Sequence, residues 1–160
     1  MLTTSKILPD GDVLIEMDAD QAYLGIVDCQ SYESFIGEWT WENLTELIVR
    51  QMNQQRLFAW GCPEGRWSIQ FTRRPLTPTP VGTHEYAGYV RTTGSLCLTS
   101  LDGFAMCAQF SEYHLPLDQD WAFSVPPGRY LVTVRQLFKW NGQGQSPSDE
   151  FPEETAEGLN

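Results

Sequence analysis

Short runs of alternating apolar and polar residues, separated by turn residues about every ten positions, recur along most of this chain. The runs 121–125 and 130–136 are the clearest, because every second residue in them, apart from the final Gln136, is large and apolar. Successive side chains of a strand point to opposite faces, so this spacing predicts half-buried strands. Roughly nine or ten such strands predict a mainly β chain folded as an antiparallel β-sandwich.

One segment has a helical period instead. It follows Thr40, a typical N-cap residue, and it has an acid, Glu42, in its first turn and a base, Arg50, near its end. Its apolar residues fall on one helical face: Trp41, Leu44, Leu47, Ile48 and Met52. The sequence therefore predicts a single short α-helix over 41–53.

Short connections rich in proline and glycine predict hairpins between neighbouring strands. Residues 62–65 would join strands 56–61 and 66–73, and Thr93-Gly94 would form a tight turn between 86–92 and 95–100. The clearest hairpin is expected at 126–129, where Pro-Pro-Gly-Arg separates two alternating runs. A further short strand is expected at 32–36.

The dipeptide Asp102-Gly103 predicts another hairpin, between strands 95–100 and 104–110. A two-residue loop would pair Leu98 with Cys107, whereas a three-residue loop would set Cys97 across from Cys107. A cross-strand disulfide is then possible on oxidation. The first twenty residues lack the features of a secretion signal, so we expect a cytoplasmic protein with reduced thiols.

The formal charge of −11 is unevenly distributed. Residues 1–48 contain ten acids and one lysine, whereas 49–91 contain six arginines and two acids. Segment 141–160 has five acids, no base and few apolar residues, which is typical of a disordered tail. We therefore expect one folded domain over 5–140, followed by a disordered acidic tail.

The negative net charge also limits which kinds of partner the protein can bind. A polyanion would be repelled, so we expect no direct binding of nucleic acid, whereas a basic protein partner would be attracted. No run of apolar residues approaches the length of a transmembrane helix, so we expect no membrane partner.

Residues able to carry chemistry are sparse. His84 and His114 are far apart and lack metal-ligand spacing, and the Asp-x-Asp patterns, of which Asp118 and Asp120 are one, lack the further ligands of a calcium loop. The usual nucleophile, nucleotide and zinc-hydrolase motifs are missing from the sequence. We expect no cofactor, no metal site and no enzymatic activity. Acids on distant strands can converge in a fold, so a hydrolase with paired carboxylates stays an open alternative.

Three segments carry a resemblance to a known family: Glu38-Trp39-Thr40-Trp41-Glu42, then Trp67-Ser68-Ile69-Gln70-Phe71, and finally residues 123–134, which read FSVPPGRYLVTV. Together, over about residues 12–138, the chain resembles the competence protein J family of bacterial nuclease inhibitors. The resemblance implies a small protein that binds and inhibits a DNA-degrading nuclease, in a competence or toxin-immunity setting. The longer segment 97–120 and the acidic tail depart from the family pattern.

An acidic inhibitor can occupy the basic cleft of a nuclease by mimicking the charge of phosphates. The candidate contact residues are Glu33 and Glu38, which flank a loop beside Trp39, together with Asp118 and Asp120. Tryptophans at the ends of elements, Trp39 and Trp140, are expected to be exposed, and exposed tryptophan is enriched at binding hot spots. They would equally suit the alternative function, a β-sandwich that binds a small ligand or carbohydrate.

Overall fold

The computed structural model describes residues 4–7, 11–19, 23–78 and 84–136, with only the backbone described for 4–7. The described residues form nine strands and two helices. In chain order these are β1 (Thr4–Ile7), β2 (Val13–Ala19), β3 (Tyr23–Asp28), α1 (Trp41–Asn53), β4 (Leu57–Gly61), β5 (Gly65–Phe71), β6 (His84–Thr92), β7 (Ser95–Ser100), α2 (Leu101–Gln109), β8 (Trp121–Ser124) and β9 (Gly128–Gln136).

The expectation of a mainly β chain is confirmed, and every strand pair is antiparallel. A three-stranded sheet has the order β1-β2-β5, a four-stranded sheet the order β4-β3-β7-β8, and β6 pairs with β9 in a two-stranded sheet. The expected tail at 141–160, the end of the expected 5–140 domain and Trp140 lie outside the described residues.

The predicted hairpins are wrong, because the short connections carry the chain from one sheet to another. β4 and β5 lie in different sheets, as do β6 and β7, and β8 and β9. Gly65 and Gly94 have φ values of 146° and 129°, which allow the chain to turn sharply out of its sheet. The N–H of Val125 donates to the carbonyl of Gly94 at 3.2 Å, so two of these crossings lie side by side.

Helix α1 has the predicted bounds and the predicted cap. The side-chain oxygen of Thr40 accepts a hydrogen bond from the N–H of Asn43 at 3.1 Å, with Glu42 in the first turn and Arg50 in the last. One part of the prediction differs: Trp41 is exposed, so the buried face of the helix consists of Leu44, Leu47, Ile48 and Gln51.

The second helix corrects three expectations. The predicted single helix and the predicted strand at 104–110 are both wrong, because α2 covers Leu101–Gln109 with Leu101, Phe104 and Ala108 buried at helical spacing. Neither Cys97–Cys107 hairpin register exists, since Cys97 lies opposite Val27 in β3 and Ala122 in β8. All four cysteines are free thiols. Residues 32–36 form a loop and not a strand.

Two clusters of buried apolar residues lie against the four-stranded sheet. The first joins residues of all three sheets, including Ile15, Ile26, Trp60 and Val90. The second joins β3 and β7 to both helices, through residues such as Val27, Leu44, Cys97 and Phe104. Strands β3 and β7 are therefore buried along almost their whole length, which places α1 and α2 on one side of the four-stranded sheet. Within the described residues, neither helix is long and apolar enough to cross a membrane.

Candidate functional site

The exposed side of α1 combines carboxylates with large apolar side chains. Trp41 is 52% exposed and Val49 is 50% exposed, although both lie on a helix whose other side is fully packed. Residues spaced by four lie one turn apart on the same side of a helix, so Trp41 and Val49 share one row, and Glu42 and Glu46 form the row beside it. We define the α1 outer face as Glu38, Trp41, Glu42, Glu46 and Val49.

The aromatic end of this face is held in place by a second tryptophan. The rings of Trp39 and Trp41 lie 5.4 Å apart at an interplanar angle of 54°. Trp39 is half-buried against the second core cluster, and its Nε1 has no hydrogen-bond partner among the described residues. Because Trp39 packs against the core, its contact with Trp41 restricts the position of the exposed Trp41 ring.

The carboxylates of the α1 outer face have no ion-pair partner within the described part of the chain. Glu38, Glu42 and Glu46 are all exposed, and the backbone carbonyl of Glu38 accepts a hydrogen bond from the Asn43 amide at 3.0 Å. Other acids are paired, as Glu16 is with Arg66 at 3.2 Å. Arg50 lies one turn from Glu46 on the same row, so the negative charge is least balanced at Glu38 and Glu42. Carboxylates without an ion-pair partner beside exposed apolar surface are typical of a surface that meets a partner.

An open depression of about 450 Å³ continues the α1 outer face toward the end of the helix. Six residues line it: Thr45, Glu46, Val49, Arg50, Asn53 and Gln54. Within the described residues there is no group of three or more histidine, cysteine or acidic side chains that could hold a metal ion.

The five predicted contact residues occupy different environments. Glu33 is exposed and paired with Arg56 at 3.0 Å, Glu38 belongs to the α1 outer face, and Asp118 is exposed in the loop before β8. Trp39, which was expected to be exposed, is instead half-buried, and both it and Leu117 pack against the second core cluster. The loops that carry these residues therefore lie on the same side of the four-stranded sheet.

Asp120 points into the protein. Its Oδ2 accepts a hydrogen bond from the N–H of Leu117 at 2.7 Å, and its Oδ1 is buried without a partner among the described residues. Burial raises the pKa of Asp120, and the hydrogen bond from the N–H of Leu117 offsets only part of this effect. The structure thus gives Asp120 a role in the fold of its loop.

Sequence reasoning also missed the fully buried acid Asp28, at the end of β3. Its carboxylate accepts hydrogen bonds from the backbone N–H groups of Thr93, Gln30 and Ser31 at 2.6, 2.9 and 3.0 Å. Burial alone would raise the pKa of Asp28, but these bonds outweigh it and lower the pKa. The bonds to the next residues form an Asx turn, which an aspartate at a strand end could have signalled.

The thiol of Cys29 lies beside this carboxylate at the edge of the second cluster. A hydrogen bond with the Cys97 thiol lowers the pKa of Cys29, in spite of partial burial, and the same bond raises the pKa of Cys97. Burial raises the pKa of Cys62 to about 12 and that of Cys107 to about 11. Cys29 is therefore the thiol that most readily forms a thiolate.

No protein-family model and no curated protein matches this chain. Among solved structures, the chain is similar to a protein described as crocagin biosynthetic gene J. The two share 16% sequence identity with a TM-score of 0.52, over 76% of this chain and 74% of the other. At this level of identity the similarity concerns the fold alone.

Proposed function

We propose that this protein is a non-catalytic binding domain whose α1 outer face docks on a basic surface of another protein. The observation that carries the proposal is the pairing of an exposed Trp41 with Glu38, Glu42 and Glu46, none of which has an ion-pair partner among the described residues. Tryptophan is enriched among the residues that carry most of the binding energy of protein interfaces, and charges around such an anchor select the partner and speed association.

Electrostatics selects the class of partner. The chain carries a net charge of −11, so a basic protein is drawn toward it and a polyanion is repelled. A nuclease that degrades DNA presents a basic cleft shaped for phosphates, and carboxylates spaced along a helix can occupy such a cleft. We therefore propose a DNA-degrading nuclease or toxin as the partner, in agreement with the resemblance to the competence protein J family.

Of the residues predicted from the sequence, Glu38 and Trp39 are retained as central to this surface. Glu33 and Asp118 are given a secondary part, because Glu33 is already paired with Arg56 and Asp118 lies on a separate loop. Asp120 is left out of the contact surface because its carboxylate is directed inward. We propose further that the sheets enclose the first core cluster as a β-sandwich, with the helices outside it.

The test uses the full chain as bait in lysate of the source cell at low and high salt. We expect a basic nuclease to be retained at low salt and released at high salt, because screening weakens long-range attraction. The purified nuclease should then lose its ability to cleave DNA when the protein is added in equimolar amount. Retention of a nuclease whose cleavage is unaffected would contradict the inhibitor function.

A small-ligand or carbohydrate-binding domain is the second candidate. It is favoured by the exposed ring of Trp41, one helical turn before Thr45, which lines the open depression on α1. The structural neighbour is named for crocagin biosynthesis, and a biosynthetic setting would suit such a domain. A titration that quenches tryptophan fluorescence in the wild type but not in Trp41→Ala would support this candidate over a protein partner.

A further inference from the structure

Two arginines face each other on the outward side of the two-stranded sheet. In the pairing of β6 with β9, Arg91 lies opposite Arg129, and both side chains are exposed. Like charges placed directly opposite on a sheet destabilise it. Neither arginine has an ion-pair partner among the described residues, although acids outnumber bases in the whole chain by 21 to 10.

Both guanidinium groups are held by the same neutral oxygen. The Oε1 of Gln55 accepts a hydrogen bond from Nε of Arg91 at 3.2 Å and from Nε of Arg129 at 2.9 Å. The Nη groups of the two arginines are left without acceptors in the described part of the chain. Since an arginine presents its donors as a planar fork that matches a carboxylate, the pair offers two such forks side by side.

The residue that holds the arginines is itself fixed by the backbone. Gln55 has a φ of 59°, in the left-handed region that residues other than glycine rarely adopt. Its N–H donates to the carbonyl of Met52 at 2.9 Å, and its carbonyl accepts from the N–H of Arg91 at 2.6 Å. Gln55 directly follows the C-cap residue of α1, a position where a left-handed residue commonly ends a helix, so the end of α1 fixes where this side chain lies.

Exposed apolar surface adjoins the arginines along the sheet. Tyr89 is 44% exposed and lies opposite Leu131, which is 60% exposed. The guanidinium carbon of Arg129 sits 3.7 Å from the centre of the Tyr89 ring, which further restricts that arginine. The apolar pair is two residues from the arginine pair on both strands, a distance of about 7 Å.

We propose that Gln55, Tyr89, Arg91, Arg129 and Leu131 form a binding site for an acidic peptide segment. A carboxylate of the segment binds the two arginines, and an apolar side chain two residues away covers Tyr89 and Leu131. An extended peptide places alternate side chains about 7 Å apart, which matches the spacing of the two pairs on the sheet. The site recognises a sequence of the form acid, any residue, apolar residue, and it is independent of the α1 outer face.

The test is an NMR titration of the full chain with a blocked peptide, Glu-Ser-Leu-Ser-Leu. We expect saturable shifts at the Nε–H signals of the two arginines, and at least about ten-fold weaker affinity for R91Q/R129Q, because the lost hydrogen bonds involve charged groups. The matched control R66Q/R73Q removes the same charge from two other exposed arginines and should bind within about two-fold of the wild type. R91K/R129K keeps the charge and loses the planar forks, so it should also bind more weakly.

Equal affinity of wild type and R91Q/R129Q would overturn the proposal, as would equal weakening by R66Q/R73Q, which would indicate a general charge effect. Absence of saturable shifts in the wild type would overturn it as well. Unchanged far-ultraviolet circular dichroism of R91K/R129K separates lost recognition from lost folding. The α1 variant E38Q/E42Q should bind this peptide normally, so failure of this site and failure of the proposed α1 docking are distinguishable.

Discussion

The buried carboxylate of Asp28, at the end of β3, accepts a hydrogen bond of 2.6 Å from the backbone N–H of Thr93, in the connection between β6 and β7. The two residues are 65 positions apart in the chain. Because β6 belongs to the two-stranded sheet and β7 to the four-stranded sheet, this bond fixes the point at which the chain crosses between sheets. Asp28 is therefore expected to be the most important polar residue for stability.

Replacing Asp28 with asparagine should lower the free energy of unfolding by about 2 kcal/mol, the usual contribution of hydrogen bonds to a charged group. The amide keeps the shape of the side chain and loses the charge that attracts three backbone N–H groups. Urea unfolding measures the change. Asp118→Asn, at an exposed aspartate, is the control and should change stability by less than about 0.5 kcal/mol. Equal stability of both variants would contradict the role of Asp28.

Asp120 should make stability fall as the pH rises. Its native pKa is raised by burial above the ordinary 3.8, so the folded protein keeps a proton that the unfolded chain releases near pH 3.8. The stabilisation conferred by this proton is complete below pH 3.8 and is lost as pH rises through the native pKa. The unfolding free energy of the wild type, relative to that of Asp120→Asn, should therefore fall as the pH rises over this range. A constant difference across these pH values would refute the prediction.

Gly88 in β6 should not tolerate a side chain. A Cβ at this position would overlap the ring of Phe58 in β4, so Gly88→Ala should destabilise the fold by about 1–3 kcal/mol. Gly128→Ala is the matched control, because its Cβ would lie 3.8 Å from Tyr130, an ordinary contact. The double variant G88A/F58L should lose less than the sum of the single losses, since the smaller side chain vacates the space.

Cys29 should react before the other cysteines. It is half-buried with a lowered pKa, whereas Cys62, Cys97 and Cys107 are buried with raised pKa values. Thiolate is the reactive form, so native protein treated with iodoacetamide at neutral pH should be modified first at Cys29. Peptide mapping by mass spectrometry locates the modification, and Cys29→Ser should remove the fast phase. Modification of Cys62 at the same rate would show that the two thiols do not differ as described.

The elements that were predicted correctly are those whose formation depends only on residues close together in the chain. Helix α1 has the expected bounds because Thr40 caps it and its apolar residues recur at helical spacing. Helix α2 was missed because Asp102-Gly103 is a typical turn pair. Gly103 lies inside the helix where the side chain of Thr99, four residues earlier at the end of β7, occupies the space that a Cβ would need. The turn preference of the pair Asp-Gly gives no sign of this packing.

Local patterns also could not predict which sheet each strand joins. A turn of two to four residues returns the chain beside the previous strand or sends it to a second sheet, and both outcomes bury the same alternating residues. For the same reason, the opposition of Arg91 and Arg129 was not predictable, since β6 and β9 pair across a large separation in sequence. On the candidate site, Glu38 and Trp39 were anticipated, whereas Trp41 was assigned to the buried face of α1.

The most direct test of the proposed function is the association rate of the protein with the captured nuclease, measured at several salt concentrations. E38Q/E42Q should associate at least about ten-fold more slowly than the wild type at low salt, with a weaker dependence on salt, because these charges accelerate the encounter. E64Q/E112Q, which removes two exposed charges elsewhere, should associate nearly as fast as the wild type. Equal association rates for wild type and E38Q/E42Q at every salt concentration would contradict docking through the α1 outer face.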